Sequence, residues 1–206
     1  MRGVAEQLGV AVMSLYRHVP GKDELVELML DTALGDPPAP DPRATWRTQL
    51  IRWARANLDL YRRHPWLLEA VVSRPPIGPN RLSWFDAALQ AVAALGIGTR
   101  QRVSVVVLVD SYVRGAAQLA VSVHRPAKGA RIAAAEWATL YSRVLRRVVT
   151  EQSYPALAKL VTAGFFDKPD PRTDDFEFGL RRVLDGIEAR KPKARGRARA
   201  RRPVVR

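Results

Sequence analysis

The 206 residues are 47% hydrophobic and 26% charged, a globular profile with material for one ordinary domain and a small one. The absence of cysteine excludes disulfides and thiolate chemistry. No signal-peptide pattern and no run of eighteen uninterrupted apolar residues occurs, so the expectation is a cytoplasmic protein with no membrane partner.

The formal net charge of +14 is uneven: eight basic residues and no acid fall in residues 191–206, leaving +6 for the rest. Residues 2–8 carry Val4, Ala5 and Leu8 on one helical face, Gly9 breaks the helix, and Val10 fills the turn. Residues 12–19 make a second short helix, Pro20-Gly21 ends it, and Lys22-Asp23-Glu24-Leu25 opens a third. Two short helices around a tight turn containing Gly form a helix-turn-helix, whose second helix enters the DNA major groove. Ala11 is a poor start for that helix, since an alanine N-cap costs roughly 0.5–2 kcal/mol. In the third helix Leu25, Leu28, Met29, Thr32 and Ala33 form one stripe at i, i+3, i+4 spacing.

Pro37-Pro38-Ala39-Pro40-Asp41-Pro42 then interrupts the pattern. The expected organisation is a DNA-binding head over residues 1–35, a Pro-rich linker over 36–43, and a helical-bundle ligand-binding and dimerisation domain over 44–190. Residues 191–206 are an Arg-rich tail expected to be disordered. In the body a helix over 44–63 turns Leu50, Trp53, Ala54, Leu58 and Tyr61 inward. His64-Pro65 marks a bend before a short helix over 66–72, and Asn80 is placed to cap a helix running to Leu95. Residues 99–124 are rich in β-branched side chains, but their length without a turn signal predicts a helix packed on several sides. Trp137, Leu140, Tyr141, Val144, Leu145 and Val148 form a stripe over 131–152, residues 155–162 a short helix, and Phe176, Leu180, Val183, Leu184 and Ile187 the apolar face of a last helix. Asp174 with Glu177 marks its start. No strand or internal repeat is evident, so the fold class is all α.

At Leu8-Gly9-Val10, at Leu15-Tyr16-Arg17-His18-Val19-Pro20-Gly21-Lys22 and again at Phe176–Ile187, the chain resembles the TetR family of bacterial transcriptional repressors. The last segment is similar to the final helix of the tetracycline-repressor type of ligand-binding domain. The resemblance implies a double-stranded DNA operator, a small-molecule effector and a homodimer as partners. It implies base contacts from Val12, Met13 and Ser14, with Arg17 beside them, and phosphate anchors at Tyr16, His18 and Lys22; side chains of these types suit those roles. It further implies a four-helix dimer interface from residues 99–124 and 176–188, in which Ala117, Ala120, Val183, Leu184 and Ile187 meet the partner. The family's head also has a helix preceding residue 2. Without it Val4, Leu8, Leu15 and Leu25 are expected to lose apolar cover worth on the order of 3–6 kcal/mol, weakening DNA binding.

Effector pockets are mostly apolar with a few polar groups. That pattern selects Trp53, Tyr61, Trp84, Trp137 and Tyr141 for the walls, and Asn57, Asp110 and Ser111 for polar contacts. The rival class is an enzyme, and the sequence speaks against it. His18, His64 and His124 show no metal-ligand spacing, and there is no phosphate loop, nucleophile elbow or cofactor motif. A second alternative is a ligand-binding or interaction protein that no longer reads DNA.

Overall fold

The computed structural model describes residues 1–70, 77–124, 134–167 and 175–190. The Arg-rich tail, Pro75-Pro76 and Asp174 lie outside the described residues. Ten helices follow in chain order, with no strand among the described residues: α1 Arg2–Gln7, α2 Val12–His18, α3 Lys22–Leu34, α4 Trp46–Arg63, α5 Leu67–Ala70, α6 Pro79–Ala93, α7 Thr99–His124, α8 Ala134–Val148, α9 Pro155–Thr162 and α10 Asp175–Ala189.

Two apolar clusters organise them. The small one joins Ala5, Leu15 and Val19, with Met1, Val4, Val12 and Leu25 packed on it. Gly9, at φ 65°, makes the turn between α1 and α2 in the left-handed region that glycine tolerates. Ala11 is indeed the N-cap of α2 and supplies no side-chain bond. Of the four head residues expected to lack cover, Leu15 is buried, Val4 and Leu25 are half-buried, and Leu8 is exposed.

The large cluster is built on α4, which packs against α6 and α7, while α10 packs on α7. Helix α4 opens on Thr45, whose hydroxyl accepts from the Thr48 N–H at 3.1 Å. Its predicted inward face is buried throughout. The length of 99–124 did decide its state: it is one helix, α7. By length and composition alone α7 is apolar enough to cross a membrane. Here Val106, Val109, Val113 and Ala117 enter the core among α4, α6 and α10. Tyr112 stacks on Phe176, with ring centroids 5.8 Å apart, and donates to the Phe176 carbonyl at 2.9 Å. A β-carbon at Gly179 would overlap the Tyr112 phenol, so this glycine lets α10 close on α7.

Three expectations require correction. The stripe on α3 has the right period and the wrong phase. Leu28 and Met29 are exposed, while Leu30 and Asp31 are buried and Val26, Ala33 and Leu34 pack on the body's core. Helix α3 therefore serves both clusters, Leu25 in the head and Leu30 in the body. Asn80 is not the cap of α6; Gly78 holds that position. The stripe on α8 does not enter the core either: Leu140, Tyr141, Val144 and Val148 are exposed, and the helix packs on α9.

Candidate DNA-reading head, seam and effector site

Burial of Leu15 and Val19 fixes which side of α2 faces outward. Met13 is 74% exposed and Tyr16 40%, with Arg17 and His18 exposed beside them and Lys22 exposed at the start of α3. Ser14 is half-buried. Val12 packs into the head's own cluster and is not offered outward. The outward set therefore has one apolar side chain for a base edge, cationic and hydroxyl groups for phosphates, and Ser14 at its margin.

Between head and body lies a buried polar seam. Gly78 has no side chain to cap α6, and the carboxylate of Asp31, reaching across from α3, accepts from the Arg81 N–H at 3.0 Å instead. A carboxylate at a helix N-terminus also meets the positive end of the dipole. A β-carbon at Gly78 would overlap that carboxylate. Asn80 turns back to donate to the Asp31 carbonyl at 2.9 Å. The Arg81 guanidinium, buried, reaches Glu27 of α3 at 3.1 Å. Trp84 closes the seam by donating to the Gly35 carbonyl at 2.9 Å. Sequence reasoning missed Glu27, Asp31 and Arg81. Two acids four residues apart on the side of α3 that carries Val26, Leu30 and Leu34 were the available signal.

The seven effector candidates whose side chains the structure describes do not all meet in one site. Trp53 donates to the Trp84 carbonyl at 2.9 Å, the two indoles meet edge-on at 6.1 Å, and Asn57 donates to the Trp53 carbonyl. Both indole N–H groups are thus occupied by backbone. Tyr61 and Asp110 form a second group. The Tyr61 phenol is pushed up to about 12, by burial first and then by the Asp110 carboxylate, with the Arg114 and Arg81 cations opposing. Asp110 pairs with Arg114 at 2.7 Å, yet burial outweighs that cation and lifts its carboxyl above the ordinary range. Ser111, the next residue along α7, is exposed and points about 100° round the helix from Asp110. Tyr141 is half exposed on α8 and meets Phe166 edge-on at 5.8 Å. Trp137 lies on α8, with its side chain outside what the structure describes. A cavity of about 230 Å³ opens between Pro37–Pro40, Arg52 and Trp53 of α4, and Asp86 of α6.

The dimer residues are also redistributed. Ala117 and Leu184 are fully buried in their own protomer, Val183 and Ile187 pack on the same core, and Ala120 is half-buried. Helices α7 and α10 pack on each other within the protomer. The apolar groups left outside are Val103, Val107, Leu108 and Leu119 on α7 and Phe178 on α10.

Comparison with known proteins agrees with this architecture. The family described as Tetracyclin repressor-like, C-terminal domain, matches residues 39–191. The chain is 38% identical over 198 residues to the HTH-type transcriptional repressor DrrR1 of Streptomyces coeruleorubidus, covering 95% of this chain and 72% of that one. It is 32% identical over 160 residues to an HTH-type transcriptional regulator of Saccharopolyspora erythraea, covering 77% and 64% respectively. Among solved structures it is similar to ActR of Streptomyces coelicolor in complex with actinorhodin, with TM-score 0.74 and 25% identity over 92% of this chain and 86% of that one. A head that exposes α2, joined through α3 to a bundle built on α4, α6, α7 and α10, is thus the architecture of a known lineage, and the chain belongs to the TetR family of transcription regulators.

Proposed function

We propose that the chain is a ligand-responsive repressor that holds a double-stranded DNA operator as a cytoplasmic homodimer and is released by a small hydrophobic effector. The observation that carries this reading is the position of Arg81. One buried guanidinium holds Glu27 of the head-bearing helix and acts electrostatically on Tyr61 and Asp110 inside the body. An effector that seats a polar group among Asn57, Tyr61 and Asp110, with Trp53 and Trp84 beside it, redistributes the charge that Arg81 feels. The pull on α3 then changes the spacing of the two heads. The switch needs unequal effector affinity for the two conformations, because a ligand indifferent to them shifts nothing. That ActR has been solved with actinorhodin supports an effector in this body.

The same reading places the dimer contact on the outward face of α7, through Val103, Val107, Leu108 and Leu119, continued by Phe178. Ser111 lies on that face. The test is anisotropy on the chain's own promoter, together with intrinsic tryptophan fluorescence, against hydrophobic drugs and pigments that include actinorhodin. One compound should lower DNA affinity and change fluorescence together, and Arg81→Met should abolish the first effect while sparing the second. If no compound changes either signal, the receptor half of the reading fails.

A further inference from the structure

The Pro-rich segment that joins α3 to α4 is anchored at both ends and bridges a gap. At its start the Gly35 carbonyl is held by the Trp84 indole at 2.9 Å. At its far end Asp41 accepts from the Arg43 N–H at 2.9 Å and from the Ala44 N–H at 3.0 Å. Between these anchors, among the described residues, no hydrogen bond reaches residues 37–40. Pro37, Pro38 and Pro40 have a fixed φ and no N–H to draw the segment down onto the helices. The cavity of about 230 Å³ beneath it is therefore held open by the chain itself.

Its floor is apolar. Trp53 is buried and its N–H is already taken by the Trp84 carbonyl, so it offers only ring carbon. Ala87 and Ala91, one turn apart on α6, are too small to fill the space under the prolines. Such surfaces suit an aromatic ring, since proline and aromatic faces pack on one another. Two charged groups stand at the edge. The Arg52 side chain, 45% exposed, has Asp41 at 3.8 Å, beyond hydrogen-bonding distance. Its planar fork is therefore open to a carboxylate. On α6, Asp86 accepts from Gln90 at 2.5 Å through one oxygen, and among the described residues the other has no donor. The volume lies below the roughly 300–1,000 Å³ of a drug-sized pocket, which limits an occupant to about two fused rings.

We propose that this cavity is a second small-molecule site, for a flat aromatic hydroxy acid whose carboxylate meets Arg52 and whose hydroxyl donates to Asp86. It is distinct from the effector cluster, because none of Asn57, Tyr61 and Asp110 lines it. An occupant ties the linker to α4 and α6. The test is isothermal titration calorimetry of the full chain with 6-hydroxy-2-naphthoate, beside the same ring lacking its hydroxyl and the same ring lacking its carboxylate. The expected result is one site per protomer. Arg52→Gln should weaken both carboxylates by roughly ten-fold, the size of one charge-assisted hydrogen bond at a half-exposed site, and leave the naphthol unchanged. Asp86→Ala should weaken the two hydroxylated rings and spare the third. Both side chains are exposed, so these variants should melt with the parent chain. Ala87→Phe, which fills the cavity, should abolish binding of all three rings, and Asp110→Asn should change none. No saturable heat at millimolar probe overturns the site. So does binding that ignores Arg52→Gln and Ala87→Phe but is lost in Asp110→Asn, which would place the probe in the effector cluster. The repressor reading stands or falls separately, on DNA affinity measured with the Arg52→Gln chain and hydrophobic effectors.

Discussion

Asp31→Ala tests the seam most directly. Asp31 is 8% exposed and its carboxylate accepts from the Arg81 N–H, the third residue of α6, whose own cap residue is glycine. Removing it leaves one backbone donor buried without a partner, worth about 1–3 kcal/mol, of the same order as the loss of an N-cap. The Asn80 bond to the Asp31 carbonyl survives, because that acceptor is backbone, and the Glu27–Arg81 pair is untouched. The expected loss is thus about 2 kcal/mol, or roughly 4–8 °C in melting temperature for a chain of this size. It should be local. Amide exchange should accelerate in the first turn of α6 and the second half of α3, and stay unchanged in α7 and α10. Gly78→Ala should reproduce the effect from the other side by displacing the carboxylate. An unchanged melt with unchanged exchange in α3 would show that α6 does not depend on α3 for its cap, and would remove the mechanical link between body and head.

Lys22→Ala and Tyr16→Ala should each weaken operator binding while lowering the salt slope by about 1 for the lysine and hardly at all for the neutral phenol; anisotropy in graded salt checks both. Leu184→Glu should unfold the protomer, since a fully buried leucine is lost and an ion enters the core, together exceeding about 3 kcal/mol. Phe178→Glu, at a side chain 60% exposed, should instead halve the mass in light scattering with the monomer still folded, and an unchanged mass would take Phe178 out of the interface. Asp110 gives a pH prediction. Its folded-state pKa is raised, so its contribution to stability is complete below the ordinary carboxylate range, near 4, and is lost as pH rises through the raised value. Asp110→Asn should therefore melt progressively higher relative to the parent chain as pH climbs from about 4 toward neutrality; parallel melting curves would contradict burial as the dominant cause.

Local chemistry determined much of this protein directly. Gly9 and Pro20-Gly21 punctuate the reading head, and the 3.6-residue period places Leu50, Trp53, Ala54, Leu58 and Tyr61 on one buried face of α4. The apolar side of α10 was legible for the same reason, since Phe176, Leu180 and Leu184 have a single surface to bury. Tertiary structure decided the cases where a helix has more than one possible partner. Periodicity on α3 could not choose between Leu28 and Leu30, because the head and the body draw on different sides of one helix. It could not tell that Leu184 and Ala117 bury themselves within one protomer, since apolar spacing is the same whether the covering surface belongs to the same chain or another. Nor could it find the Glu27–Arg81 pair or the Asp31 cap, which join residues about fifty apart in sequence. A carboxylate on a helix reads as solvated until the fold brings an unfilled helix N-terminus against it.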